Sequence, residues 1–128
     1  MARRVFLVED LRGMRALLAD LFATIGGLEI VDASTTEAEA RLWLDEHPGA
    51  WDLAIVDLVL AEGSGMGVIP QARRRARPGA KVVVFSGYAS PGIRAHCLSL
   101  GADAVFEKSE TAQFISWLGG DLRGEPQP

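Results

Sequence analysis

Cysteine is nearly absent from this chain, with Cys97 standing alone. An internal disulfide is thereby excluded and no partner stands at metal-ligand spacing, so a reducing compartment is expected, with Cys97 a small apolar filler. Histidine is almost as scarce. His47 and His96 lie far apart in segments that read as helical, with no acid or serine context for a triad, and zinc would lack its nitrogen and sulfur ligands. Long apolar runs are missing too: the longest falls far below the roughly 20 residues that span a bilayer. Arg3 and Arg4 lead into a four-residue run ending in acids, not into a signal core. A cytoplasmic location is the expectation. Positive charge is also in deficit, 13 Lys and Arg against 17 Asp and Glu, for a net charge of -4. That balance argues against nucleic acid as a direct partner, because phosphate neutralisation dominates such binding.

What is present fits one domain. A chain of 128 residues buries roughly two thirds of its unfolded surface, and 48% hydrophobic with 23% charged residues is ordinary for a globular protein. Four apolar runs, near Val5–Val8, Leu53–Val56, Lys81–Phe85 and Ala104–Phe106, do not alternate with polar residues. Continuous runs mean strands covered on both faces. A weaker strand is expected at Leu28–Ala33.

The segments between them read as helices. Leu11, Met14, Leu18, Leu21, Phe22 and Ile25 form one stripe that ends at Gly26-Gly27. Thr36 and Glu39 make a capping box for a helix through about Glu46, stopped by His47-Pro48-Gly49. A third helix is expected from Gly65 to Arg77 with Pro70 in its first turn, a fourth from the Ser90-Pro91 cap to Gly101, and a short fifth from Glu110 to Leu118. Five strand–helix alternations predict an α/β fold, a doubly wound parallel sheet with helices on both faces and right-handed crossovers. Residues 1–120 read as the domain and 121–128 as a loose tail.

The strand ends carry the chemistry. Glu9 and Asp10, then Asp57, then Ser86, then Lys108 follow successive runs, at the sheet edge where open α/β folds bind ligands. Any of them alone reads most simply as a helix cap or solvated loop residue; their conjunction does not. Two unpaired carboxylates about 5 Å apart repel by roughly 3 kcal/mol at an effective dielectric near 20, so the set calls for a divalent cation, a raised pKa or a lysine. Lys108 is that lysine. An oxygen-only set suits magnesium. With charge neutralised around it, one carboxylate can attack phosphorus, and Ser86 can hydrogen-bond the added phosphate.

Here the chain resembles the receiver domains of two-component response regulators. The matching residues are Val-Glu-Asp at 8–10, Val-Asp-Leu at 56–58, Gly63-Ser64-Gly65, Phe85-Ser86-Gly87, Gly101-Ala102-Asp103 and Lys108, from about Arg4 to Leu118. The resemblance implies the flavodoxin-like strand order 2-1-3-4-5, with Asp57 the phosphoacceptor and Mg2+ held by Glu9, Asp10, Asp57 and the Val59 carbonyl. It also implies Ser86 as switch hydroxyl and Lys108 at the phosphoryl group. The implied partners are a histidine kinase or phosphotransfer protein and a downstream protein target, with the chain a monomer or weak dimer. The chain is then a phosphoacceptor signalling domain, not an enzyme acting on outside substrates. No DNA-binding or enzymatic domain is expected after Leu118 unless the chain is a fragment of something longer, so output is expected through docking or onward phosphotransfer.

Three positions depart from the family pattern. Val105 stands where an aromatic is common, and Phe106 cannot replace it because adjacent strand residues face opposite ways. Ser109 stands where a cis proline is usual, and a cis bond to a non-proline residue costs about 2.5–4 kcal/mol, so a trans bond is expected. Ala61 occupies a frequent proline position.

Two other functions compete. A haloacid-dehalogenase-type phosphohydrolase needs a second acid where this chain has Val59. An unphosphorylated adaptor would not need the complete acid, serine and lysine set. Simpler readings suffice elsewhere: Arg73, Arg74, Arg75 and Arg77 offset a helix dipole, Gly63, Gly65 and Gly67 turn the chain into the third helix, and Trp43, Trp51 and Trp117 pack, with a contact surface at Trp117 as the alternative.

Overall fold

A computed structural model describes residues 2–120; the tail expected at 121–128 lies outside them. In chain order the elements are β1 (Arg3–Val8), α1 (Arg12–Ile25), β2 (Leu28–Ser34), α2 (Glu37–Glu46), β3 (Leu53–Val56), α3 (Gly65–Arg75), β4 (Lys81–Ser86), α4 (Pro91–Leu100), β5 (Ala104–Glu107) and α5 (Thr111–Gly119). The strands are parallel in the order β2-β1-β3-β4-β5. No described helix is long and apolar enough to cross a membrane.

Each apolar run feeds two cores at once. Phe6, Val8, Ala54, Val56, Val82 and Val84 pack on one face with Leu44 of α2, Val68 and Ile69 of α3 and Cys97 of α4. Val5, Leu7, Leu53, Ile55, Val83 and Phe85 pack on the other with Leu18 and Phe22 of α1 and Phe114 and Leu118 of α5. A central strand with helices on both sides therefore has no polar positions to spare, and at about 1.5–3 kcal/mol per large buried side chain this double burial sets the fold.

Local signals hold with small corrections. Thr36 caps α2 by accepting the Glu39 N–H at 3.1 Å, and the Ser90 hydroxyl caps α4 by accepting the Ile93 N–H at 3.3 Å. Gly101 closes α4 with φ 119°. Leu11 does not join the α1 stripe. It stands just ahead of the helix, 56% exposed, because the chain is still leaving the sheet edge there. Pro70 is the sixth residue of α3, in its second turn, not its first; the helix continues past it although proline donates no backbone hydrogen bond. Helix α3 ends at Arg75 and α5 runs one residue beyond Leu118. No described peptide bond is cis, so Lys108–Ser109 is trans, as expected.

The arginine run does more than offset a dipole. Arg73 pairs with Asp103 and donates to the Gly101 carbonyl at 2.9 Å, Arg75 reaches Asp45 at 2.9 Å, and Arg77 pairs with Asp52. Asp52 is buried at the edge of the sheet opposite the strand ends that carry the acids. It accepts from the Arg4 N–H at 2.6 Å and from the Arg4 and Arg77 guanidinium groups, tying β1 to the chain just ahead of β3 and to the segment that follows α3. Burial alone would raise the Asp52 carboxyl, but these hydrogen bonds outweigh it and hold the group well below the usual carboxylate range. A depressed folded-state pKa gives stability that is full above about pH 4, the unfolded value, and is lost as pH falls through the folded value. Asp52→Asn should accordingly cost about 2 kcal/mol at pH 7, with the loss shrinking at about pH 3. Urea titrations of both proteins at the two pH values check this, and equal losses at both would contradict it.

Candidate functional site

The register places the acids side by side. Val8 of β1 lies opposite Val56 of β3, so the next residues, Glu9 and Asp57, leave the sheet together, and the Asp57 N–H donates back to the Val8 carbonyl at 2.9 Å. Ser86 ends β4. The Lys108 N–H donates to the Ser86 carbonyl at 2.8 Å, which brings the lysine in from β5.

All the side chains expected at the strand ends converge. Lys108 Nζ lies 2.7 Å from Asp57 Oδ2 and 2.8 Å from Glu9 Oε1. Ser86, fully buried, donates its hydroxyl to Asp57 Oδ1 at 2.7 Å, and the Val59 N–H donates to the same oxygen at 3.2 Å. Glu9 and Asp57 are buried, whereas Asp10 is partly open. Glu9, Asp10 and Asp57 each bring a carboxylate oxygen within 4.8 Å of the others. Lys108 thus pairs with two of three clustered carboxylates, a deficit of positive charge that an oxygen-seeking divalent cation would offset, so the donor set fits magnesium.

The electrostatics follow the same lines. Burial, and secondly the charge of Asp57, push the Glu9 carboxyl up, against the pull of Lys108. Burial opposes the charged form of Lys108, but its hydrogen bonds to Asp57 and Glu9 prevail and raise its pKa. The ammonium is therefore locked in its protonated state.

A cavity of about 200 Å³ opens onto the cluster, lined by Asp10, Leu11, Asp57, Val59, Gly87, Tyr88 and Lys108. Leu11, Val59 and Tyr88 are among the most exposed large apolar side chains described, at 56%, 63% and 65%. This apolar rim escaped the sequence reading, because Leu11 fits a helical stripe and Tyr88 belongs to no periodic pattern.

Glu37 escaped it as well. Its carboxylate accepts the Ser64 N–H at 2.9 Å, and a Cβ on Gly63 or Gly67 would fall within 2.5 or 2.1 Å of Glu37 atoms. These glycines thus make room for a protein carboxylate, while a Cβ on Gly65 would strike the Asp57 carbonyl at 2.0 Å. Gly63 alone of the three sits at positive φ, 78°. The loop after Asp57 is pinned from α2, which only the folded chain reveals. His47 and His96 are both exposed, as surface histidines outside any triad would be.

Comparison with known proteins agrees with this geometry. The model of the response regulator receiver domain matches residues 5–116. Methanogenesis regulatory protein FilR1 of Methanothrix harundinacea is 26% identical over 110 residues, covering 85% of this chain and 25% of that protein. Photosynthetic apparatus regulatory protein RegA of Cereibacter sphaeroides is 27% identical over 114 residues, covering 89% of this chain and 59% of that protein. The chain thus spans less than two thirds of either relative. A crystal structure of a response regulator protein from Burkholderia pseudomallei, with a phosphorylated aspartic acid, calcium ion and citrate, superposes with a TM-score of 0.75 at 24% identity, covering 90% of this chain and 65% of that one. With strand order, acid cluster and family model in agreement, the chain belongs to the response regulator receiver domains of two-component systems.

Proposed function

We propose that residues 1–120 form a receiver that takes a phosphoryl group onto Asp57 from a phosphohistidine of a histidine kinase or phosphotransfer protein, in the cytoplasm, and signals by docking to a downstream protein. The observation that carries this reading is the double grip on Asp57, with Ser86 and Val59 at one oxygen and Lys108 at the other, in a cavity open to solvent. An Asp57 oxygen forms the new bond to phosphorus as the phosphorus–nitrogen bond of the donor breaks, and the departing imidazole takes a proton from solvent. Lys108 keeps its proton and turns from the Glu9–Asp57 pair to the transferred oxygens. The Ser86 hydroxyl leaves Asp57 Oδ1 to donate to one of them. Glu9, Asp10, Asp57 and the Val59 carbonyl would hold magnesium, which when bound offsets the charge of the carboxylates and the incoming phosphoryl oxygens. Val59 leaves no acid two residues after Asp57, which sets the chain apart from phosphohydrolases that use one there.

Incubation with magnesium and a small phosphodonor should add one phosphoryl group, seen by intact mass, and Asp57→Asn should abolish it. Addition that survives the substitution, or none in the wild type, ends the reading.

The acid cluster also sets a pH dependence. A raised folded-state pKa at Glu9 favours the native state below about pH 4.3, the unfolded value, and that advantage is lost as pH rises through the folded value. Lys108, also raised, favours the fold below about pH 10.4 and loses that advantage only as pH climbs past it, so it is constant across the neutral range. In chelator, Glu9 should therefore cost stability as pH rises above about 4.3, and Glu9→Gln should flatten the profile. Magnesium at about 100 times its dissociation constant should restore roughly 2.7 kcal/mol to the wild type and far less to Glu9→Gln. Denaturant midpoints that are identical with and without magnesium would remove the metal from the proposal.

A further inference from the structure

β5 is the outer strand on its side of the sheet, and its far side faces no other described strand. The Lys108 N–H points to β4, and alternation along a strand sends the backbone groups of Val105 and Glu107 the other way. Three of these outward groups are nevertheless satisfied, all without a neighbouring strand. The Val105 carbonyl accepts from Arg94 of α4, the Glu107 N–H donates to Glu110 Oε1 at 2.8 Å, and the Glu107 carbonyl accepts the Glu110 N–H at 2.8 Å. Arg94 Nη2 and Glu110 Oε1 then meet at 2.8 Å, which closes the ring. The Glu107 N–H and Arg94 together hold the Glu110 carboxyl below its ordinary range.

Both arms of this clamp lead back to Asp57. The Arg94 N–H donates to the carbonyl of Ser90, the cap of α4, at 2.8 Å. Upstream of that cap, the Tyr88 N–H lies 3.4 Å from the Ser86 hydroxyl that holds Asp57 Oδ1. Glu110 follows two residues after Lys108, which holds Asp57 Oδ2. Val105, at the position where an aromatic lever is common in receivers, is a buried valine packed among α3 and α4 residues. A short branched side chain has no ring to swing between interior and surface.

We propose that the Arg94–Glu110 clamp is the latch of this receiver, holding α4 against β5 in the unphosphorylated chain and opening when Ser86 and Lys108 turn to a phosphoryl group on Asp57. The inference rests on the phosphoacceptor reading above. Movement of the Ser86 hydroxyl draws on residues 87–90 and so on the first turn of α4, which ends at Arg94. The clamp's ion pair is partly exposed, and such pairs are weak enough to break and reform.

Amide hydrogen exchange at Glu107, read by NMR with and without phosphodonor on protein whose intact mass is checked, tests the latch. The Glu107 amide should exchange about tenfold faster once Asp57 is phosphorylated, while amides of β3 stay protected. In parallel, Arg94→Met, which keeps an apolar stem, should raise the rate of phosphorylation by a small phosphodonor about threefold by populating the open state, and Arg94→Lys should fall between. Phosphate on Asp57 with Glu107 still protected, or an Arg94→Met rate equal to wild type, overturns the latch alone. Failure of Asp57 to take up phosphate overturns the latch and the phosphoacceptor reading together.

Discussion

One ammonium among three carboxylates governs this molecule. Glu9, Asp10 and Asp57 gather because the parallel register of β1 and β3 delivers them to the same edge, and Lys108 is what makes their company tolerable without a metal. The arrangement is poised because it is incomplete. A lysine that satisfied every acid would leave no attraction for a cation or a phosphoryl group, and acids without the lysine would repel one another out of position.

The rest of the fold can be understood as support for that cluster. Two cores clamp the sheet from both sides, so the strand ends have little freedom. Glu37 fixes the loop after Asp57 from α2, and Gly65 lets that loop pass against the Asp57 carbonyl where a methyl group would not fit. On the far edge Asp52 binds the strand beginnings with its two arginines.

Much of this was legible before folding was considered. Continuous apolar runs announce two-sided strands, and the acids, serine and lysine that follow them mark the ligand edge of such a sheet, while the strand order came from the resemblance to receivers and the structure bears it out. The rim of Leu11, Val59 and Tyr88 did not, since Leu11 continues an apparent helical stripe that the chain's exit from the sheet interrupts. Nor did the partners of Arg73, Arg75, Arg77 and Arg94, which lie 11 to 30 residues away along the chain. Long-range polar pairing leaves no periodic signature, so a run of arginines looks the same whether it is solvated or tied to buried carboxylates. Pro70 misled for a related reason: proline is read as a helix opener, but packing of Val68, Ile69 and Ala72 keeps α3 running through it.

The Asp52 anchor carries an evolutionary corollary. Because it secures the strand origins while Asp57 stands at their termini, drift around the Asp57 cavity can proceed without loosening the scaffold, and thermal adaptation can act on the anchor without disturbing that cavity. Divergent lineages would then vary their specificity and their heat tolerance as separable traits.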